Sequence, residues 1–142
     1  MLAPDVNVLV YAHREELPGH ESCRRWLEET AAADAAFGLF DVVLSGFVRV
    51  VTHGRVFKTP TPLDDAFALV SELRAQPTCI VVQPGLRHWD IFERLCRGTA
   101  ARGNIVADAY LAALAIESGC EWVTTDRDYS RFPGLRWRHP FA

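Results

Sequence analysis

No stretch of this 142-residue chain stays apolar for the ~18 residues that a bilayer crossing needs, so no membrane-spanning helix is expected. Neither sign of charge dominates: 15 Lys and Arg against 18 Asp and Glu leave a formal net charge of −3. That balance gives no overall electrostatic footprint for a nucleic acid. A polyanionic partner would need a local basic patch, a metal ion or a second protein. Five histidines add positive charge only below neutral pH. The four cysteines, Cys23, Cys79, Cys96 and Cys120, form no CxxC pair. Reduced, buried thiols are therefore expected rather than a zinc site or a disulfide framework. The chain does not open on a basic segment followed by a long apolar one, and a cytoplasmic location is expected. Internal repeats and low-complexity tracts are missing. So are a GxGxxG after a strand, a GxxxxGK[ST] loop and a GxSxG elbow around Ser45-Gly46.

What is present is an ordinary globular composition, 49% hydrophobic and 23% charged, of a length that fits one domain over residues 1–142. The opening Leu-Ala-Pro-Asp predicts a very short strand ending near Asp5, followed by a helix through Val8 to Ala12. The β-branched run after Asp5 leaves a longer strand open. Residues 19–30 read as a helix with Cys23, Trp26 and Leu27 on one face. Residues 37–40 suit a strand, and 42–52 a helix capped by Asp41. Residues 63–75 form an amphipathic helix with Leu63, Phe67, Val70 and Leu73 inward. Residues 79–83 suit a strand, 86–97 a helix, and 121–125 a strand; 135–139 would add an edge strand. The clearest helix is 104–118, with Asn104 as N-cap and Gly119 at its C-terminal end. Strands alternating with helices argue for α/β architecture: a central parallel sheet with helices on both faces, a three-layer α/β/α sandwich.

The informative residues are acids at element ends. Asp5 follows the first strand and Asp126 the strand at 121–125, and parallel sheets gather functional groups at the carboxyl edge of their strands. Asp108 falls in the helix 104–118 and shares a helical face with Leu111, Ala112 and Ala115. A carboxylate on a buried face is costly unless it is paired or binds a cation. Each acid alone has a local alternative: a helix-dipole partner for Asp108, a cap for Asp5, an Asx turn for Asp126 and Asp128. Together, three converging carboxylates would repel, and a hard divalent cation such as Mg²⁺ or Mn²⁺ resolves the repulsion. His13 and His20 read as structural or surface residues.

Two family patterns bear on these acids. Asp5-Val-Asn-Val resembles the start of a haloacid-dehalogenase phosphatase, but that family needs a second Asp where Asn7 stands, and a late lysine where the chain has only Lys58. The chain as a whole resembles the PIN-domain family, specifically the VapC-like ribonuclease toxins of bacterial toxin–antitoxin modules. The matching pieces are Asp5-Val-Asn-Val-Leu-Val-Tyr-Ala, Leu44-Ser-Gly-Phe-Val-Arg-Val-Val-Thr, Gly103-Asn-Ile-Val-Ala-Asp-Ala-Tyr-Leu-Ala-Ala-Leu-Ala and Thr124-Thr-Asp-Arg-Asp-Tyr, with the tail Arg131-Phe-Pro-Gly-Leu-Arg-Trp. The resemblance implies a three-layer α/β/α fold and Mg²⁺-dependent hydrolysis of RNA phosphodiesters. It implies Asp5 and Asp108 as principal metal ligands and catalytic acids, Asp126 as a further one, and Asp128 as an acid acting through water or a second metal. It also implies an antitoxin partner and a homodimer.

One departure stands out: many members carry a Glu in the central helix where this chain has Gly46, and Asp41 is the nearest acid. Two alternatives follow, a non-catalytic interaction module with an impaired metal site, or a DNase of the same fold. Arg14, Arg49, Arg55 and Lys58 are candidates to hold an RNA backbone.

Overall fold

The computed structural model describes residues 1–141. Its elements run β1 (Leu2–Pro4), α1 (Val6–His13), α2 (His20–Ala32), β2 (Phe37–Phe40), α3 (Asp41–Val51), α4 (Leu63–Arg74), β3 (Cys79–Val82), α5 (His88–Thr99), α6 (Asn104–Ser118), β4 (Glu121–Val123), a 3₁₀ turn (Arg127–Arg131) and β5 (Trp137–Arg138). The five strands form one sheet in the order β3-β2-β1-β4-β5, and every pairing is parallel. Three residues suffice for β1 because it is central, flanked by β2 and β4. Ala3, Pro4 and Asp5 are buried there, as expected of a parallel strand covered on both faces.

Strand alternation sorts the two faces. Leu2 and Val123 pack with Val8, Ala12 and Cys23 of α1 and α2. Phe40 and Trp122 point the other way and stack at 5.3 Å between ring centroids, with Trp122 also against Tyr129. The apolar side of α6 is built from Ala109, Ala112, Ala113, Leu114 and Ala115, all buried. Small side chains let this helix lie close to the sheet and to α5. Gly119 ends it in the left-handed conformation, φ 71°, as expected.

Three local expectations are corrected. Asp41 is the first residue of α3 rather than its cap; Phe40 occupies that position, and the Asp41 carboxylate accepts from Gln83 Nε2 across the ends of β2 and β3 at 2.8 Å. Asn104 likewise lies inside α6, after Gly103 at φ 58°. In α4, Leu63 and Phe67 are more than half exposed, while Ala66 and Val70 are buried. The helix is rotated from its most hydrophobic face because Ala66, with no bulk beyond Cβ, permits the closer approach. The four cysteines are free thiols, and no helix among the described residues is long and apolar enough to cross a membrane.

Candidate active site

Asp5 stands where β1 meets α1, with its amide donating to Val123 O of the neighbouring strand at 2.8 Å. Its side chain caps α1: Oδ1 accepts from Val6 N at 2.7 Å. Oδ2 accepts from Thr124 Oγ1 at 2.8 Å and from Asn7 Nδ2 at 3.1 Å. Asn7 Nδ2 also reaches Thr124 Oγ1, and Asn7 Oδ1 accepts from Thr125 N at 3.1 Å. Thr124 Oγ1 in turn accepts from Asp126 N. A buried polar knot thus ties the first strand's end to the fourth's.

Asp126 and Asp108 complete the group. Asp126 Oδ1 accepts from Asp128 N at 2.9 Å, so the acid forms the Asx turn that opens the 3₁₀ turn. That turn buries Tyr129, whose hydroxyl donates to Asp108 Oδ1 at 3.3 Å. Among the described residues, none donates a hydrogen bond to Asp108 Oδ2 or Asp126 Oδ2. Asp5, Asp108 and Asp126 line one open cleft of about 510 Å³, together with Asn7, Arg49 and Tyr129.

Electrostatics mark the same group. Burial, above all, pushes the Asp5 carboxyl up to about 6; hydrogen bonds from Thr124 and Val6 oppose this, and the charges of Asp108 and Asp126 add to it. Burial also raises Asp108, against the Tyr129 bond and with the Asp126 charge. Burial first, then the charges of Asp5 and Asp108, holds the Tyr129 phenol far above its ordinary range, so it remains a donor.

The other sequence candidates fall elsewhere. Asp128 is exposed and pairs with Arg131 at 3.4 Å. Asp41 lines a separate cleft with Ser45, Arg49 and Phe67. Arg14 is committed internally: it donates to Thr59 O and Thr61 Oγ1 and lies 4.2 Å over the Phe57 ring. A Cβ on Gly46 would lie 2.9 Å from Val6 Cγ2, so α3 and α1 approach closely at this position and a side chain there would force Val6 to shift. His13 and His20 are structural, bonded to Thr61 Oγ1 and Tyr11 O.

The donor set suits a hard cation: carboxylate oxygens, a hydroxyl and an amide, without sulfur or imidazole. Among the described residues, no three His, Cys, Asp or Glu side chains form a ready-made cage. Mg²⁺ does not require one, since it keeps several waters and takes one or two carboxylates directly.

The carboxyl edge of this parallel sheet thus gathers acids from β1, α6 and the turn after β4, and the PIN-domain family profile matches residues 2–135. The chain belongs to the PIN-domain family. Within it, the chain is 50% identical to ribonuclease VapC43 of Mycobacterium tuberculosis, over 99% of this chain and 95% of that one. It is 40% identical to ribonuclease VapC25 of the same organism, over 99% of both. Among solved structures, VapBC2 from Rickettsia felis bound to a promoter DNA fragment matches with a TM-score of 0.73 at 17% identity, over 97% of both chains. VapBC-1 from nontypeable Haemophilus influenzae matches with 0.72 at 12%, over 99% and 98%.

Proposed function

We propose that this chain is a metal-dependent endoribonuclease, the toxin of a toxin–antitoxin pair, and that Asp5, Asp108 and Asp126 are the acids that hold Mg²⁺ or Mn²⁺. The observation that carries this is the meeting of three acids, from positions 5, 108 and 126, in one cleft where burial already penalises the charge of Asp5 and Asp108. The ribonuclease names of relatives at 40–50% identity support the reaction class.

A bound divalent cation supplies Lewis-acid activation of the phosphodiester. The chain's own residues do the rest. Thr124 and Asn7 hold Asp5 in one rotamer, so its oxygens are fixed before substrate arrives. Tyr129 fixes one oxygen of Asp108 and leaves the other free toward a ligand. The Asx turn does the same for Asp126. Such preorganisation removes the cost of arranging charge during the reaction.

The partner is an antitoxin, by analogy with the VapBC complexes that share the fold. A groove of about 470 Å³ between α1, α2 and α4, floored by Leu9, Leu27, Phe47 and Leu73, gives an antitoxin segment apolar surface to bury.

The test is cleavage of a single-stranded RNA by purified protein. Cleavage is expected with Mg²⁺ or Mn²⁺, is lost in EDTA, and is abolished by Asp5→Asn or Asp108→Asn. Cleavage in EDTA, a fully active Asp108→Asn variant, or preference for a matched DNA strand overturns the proposal.

A further inference from the structure

The cleft that gathers the acids should repel the substrate it serves. Asp5, Asp108 and Asp126 present negative charge to a polyanion, and the chain as a whole carries −3. Arg49 is the one Arg or Lys among the described residues lining that cleft. It is exposed, and among the described residues neither an ion pair nor a hydrogen bond holds its guanidinium. The neighbouring cations differ. Arg14 is tied to Thr59, Thr61 and Glu16, and Arg131 is tied to Asp128 by a salt bridge and a bond to its carbonyl.

The packing of α3 explains how Arg49 comes to the cleft. Positions 46, 49 and 50 share one helical face. Gly46 lets that face close on Val6 at the start of α1, next to Asp5. Arg49 and Val50, one turn on, are thereby carried to the wall of the cleft, where both are found. The missing side chain at 46 and the cation at 49 are two parts of one arrangement: α3 brings a positive charge, not an acid, to the acidic cluster.

We propose that Arg49 binds a phosphodiester of the RNA strand in this cleft and is the residue that seats the substrate against the aspartates. Its guanidinium forms a bidentate, charge-assisted pair with non-bridging phosphate oxygens. Val50 and Val56 of the same cleft give the adjoining sugar and base an apolar wall. This role rests on the nuclease reading above.

The experiment separates the two. Binding of a short fluorescein-labelled single-stranded RNA is measured by anisotropy in EDTA, in an Asp108→Asn background, across a series of salt concentrations. Adding Arg49→Gln is expected to weaken binding about tenfold and to reduce the slope of log K against log salt by about 0.7, one phosphate contact on a single strand. Arg49→Lys should restore the slope and only part of the affinity, and Arg94→Gln, on the exposed side of α5, should change neither. In the metal-loaded wild-type background, Arg49→Gln should raise KM more than it lowers kcat, with the melting temperature unchanged. Cleavage by the wild type with unaltered KM and salt slope in Arg49→Gln overturns this inference alone. Absence of metal-dependent cleavage by the wild type overturns the nuclease reading and this inference with it.

Discussion

Thr124 Oγ1 donates to Asp5 Oδ2 at 2.8 Å across 119 positions of sequence, and the same oxygen accepts from Asn7 Nδ2 and Asp126 N. One hydroxyl, fully buried, therefore sets the place of two of the three acids. Thr124→Val keeps the shape and deletes the hub. Leaving buried partners unsatisfied costs ~1–3 kcal/mol. Urea unfolding should show a loss of that size, with Thr124→Ser close to wild type. A Val variant as stable as the wild type would mean the knot contributes nothing.

Asp5 gives the apo protein a pH dependence of definite sign. Its folded carboxyl titrates at about 6, above the ordinary value of 3.8. Well below pH 3.8 both folded and unfolded states hold the proton, and no penalty exists. As pH rises toward 6 the unfolded chain ionises first, so stability falls, by about 3 kcal/mol in full. His13, whose folded value is lowered mainly by burial, contributes the opposite slope in the neighbouring range. The comparison is therefore with Asp5→Asn. Denaturant midpoints in EDTA at pH 4.5 and 7.5 should show a smaller decline in the variant than in the wild type, with Asp108, also raised by burial, supplying what remains. Parallel profiles would remove Asp5 as its source.

The proposed metal assignment gives Tyr129 a role in metal affinity, exerted through Asp108. Tyr129→Phe deletes the bond to Oδ1 and keeps the ring packed against Trp122 and Phe132. Loss of a supporting group behind a ligand typically weakens metal binding ~10-fold. A Mn²⁺ titration followed by melting temperature should show the midpoint moving to higher concentration. With the wild type, metal at ~100 times its Kd should add about 2.7 kcal/mol by mass action. A wild-type melting curve that Mg²⁺ and Mn²⁺ leave unmoved would defeat the assignment of the acids as ligands.

Gly46→Ala drives a methyl group to 2.9 Å from Val6 Cγ2. Overpacking of this kind costs ~1–3 kcal/mol, and Val6→Ala should recover much of it. A double-mutant cycle measures the coupling. Additive effects would show that the two helices do not meet as tightly as described.

Much of this was legible in the sequence because the signals are local. The end of β1, the strand at 37–40, the helix 104–118 with Gly119 behind it, and the acids at element ends all follow from spacing and residue type. The face of α4 was not legible. Its apolar residues fit two overlapping stripes, and buried Ala66, which chooses between them, carries little hydrophobic signal. Asn7 and Thr124 also escaped, since each reads as an ordinary helix or strand residue until its partner arrives from 117 positions away. Arg14 looked like a free cation for the same reason: Phe57, Thr59 and Thr61 come to it only in the fold.

The pairing of β1 with β4 also sets an order in which the cleft can form. Asp5 precedes by 119 positions the hydroxyl that anchors it, and the strand beside it is β4, at 121–123. Until both are present Asp5 lacks its buried anchor, so the acid cleft can take shape only once the residues around position 124 have joined the fold.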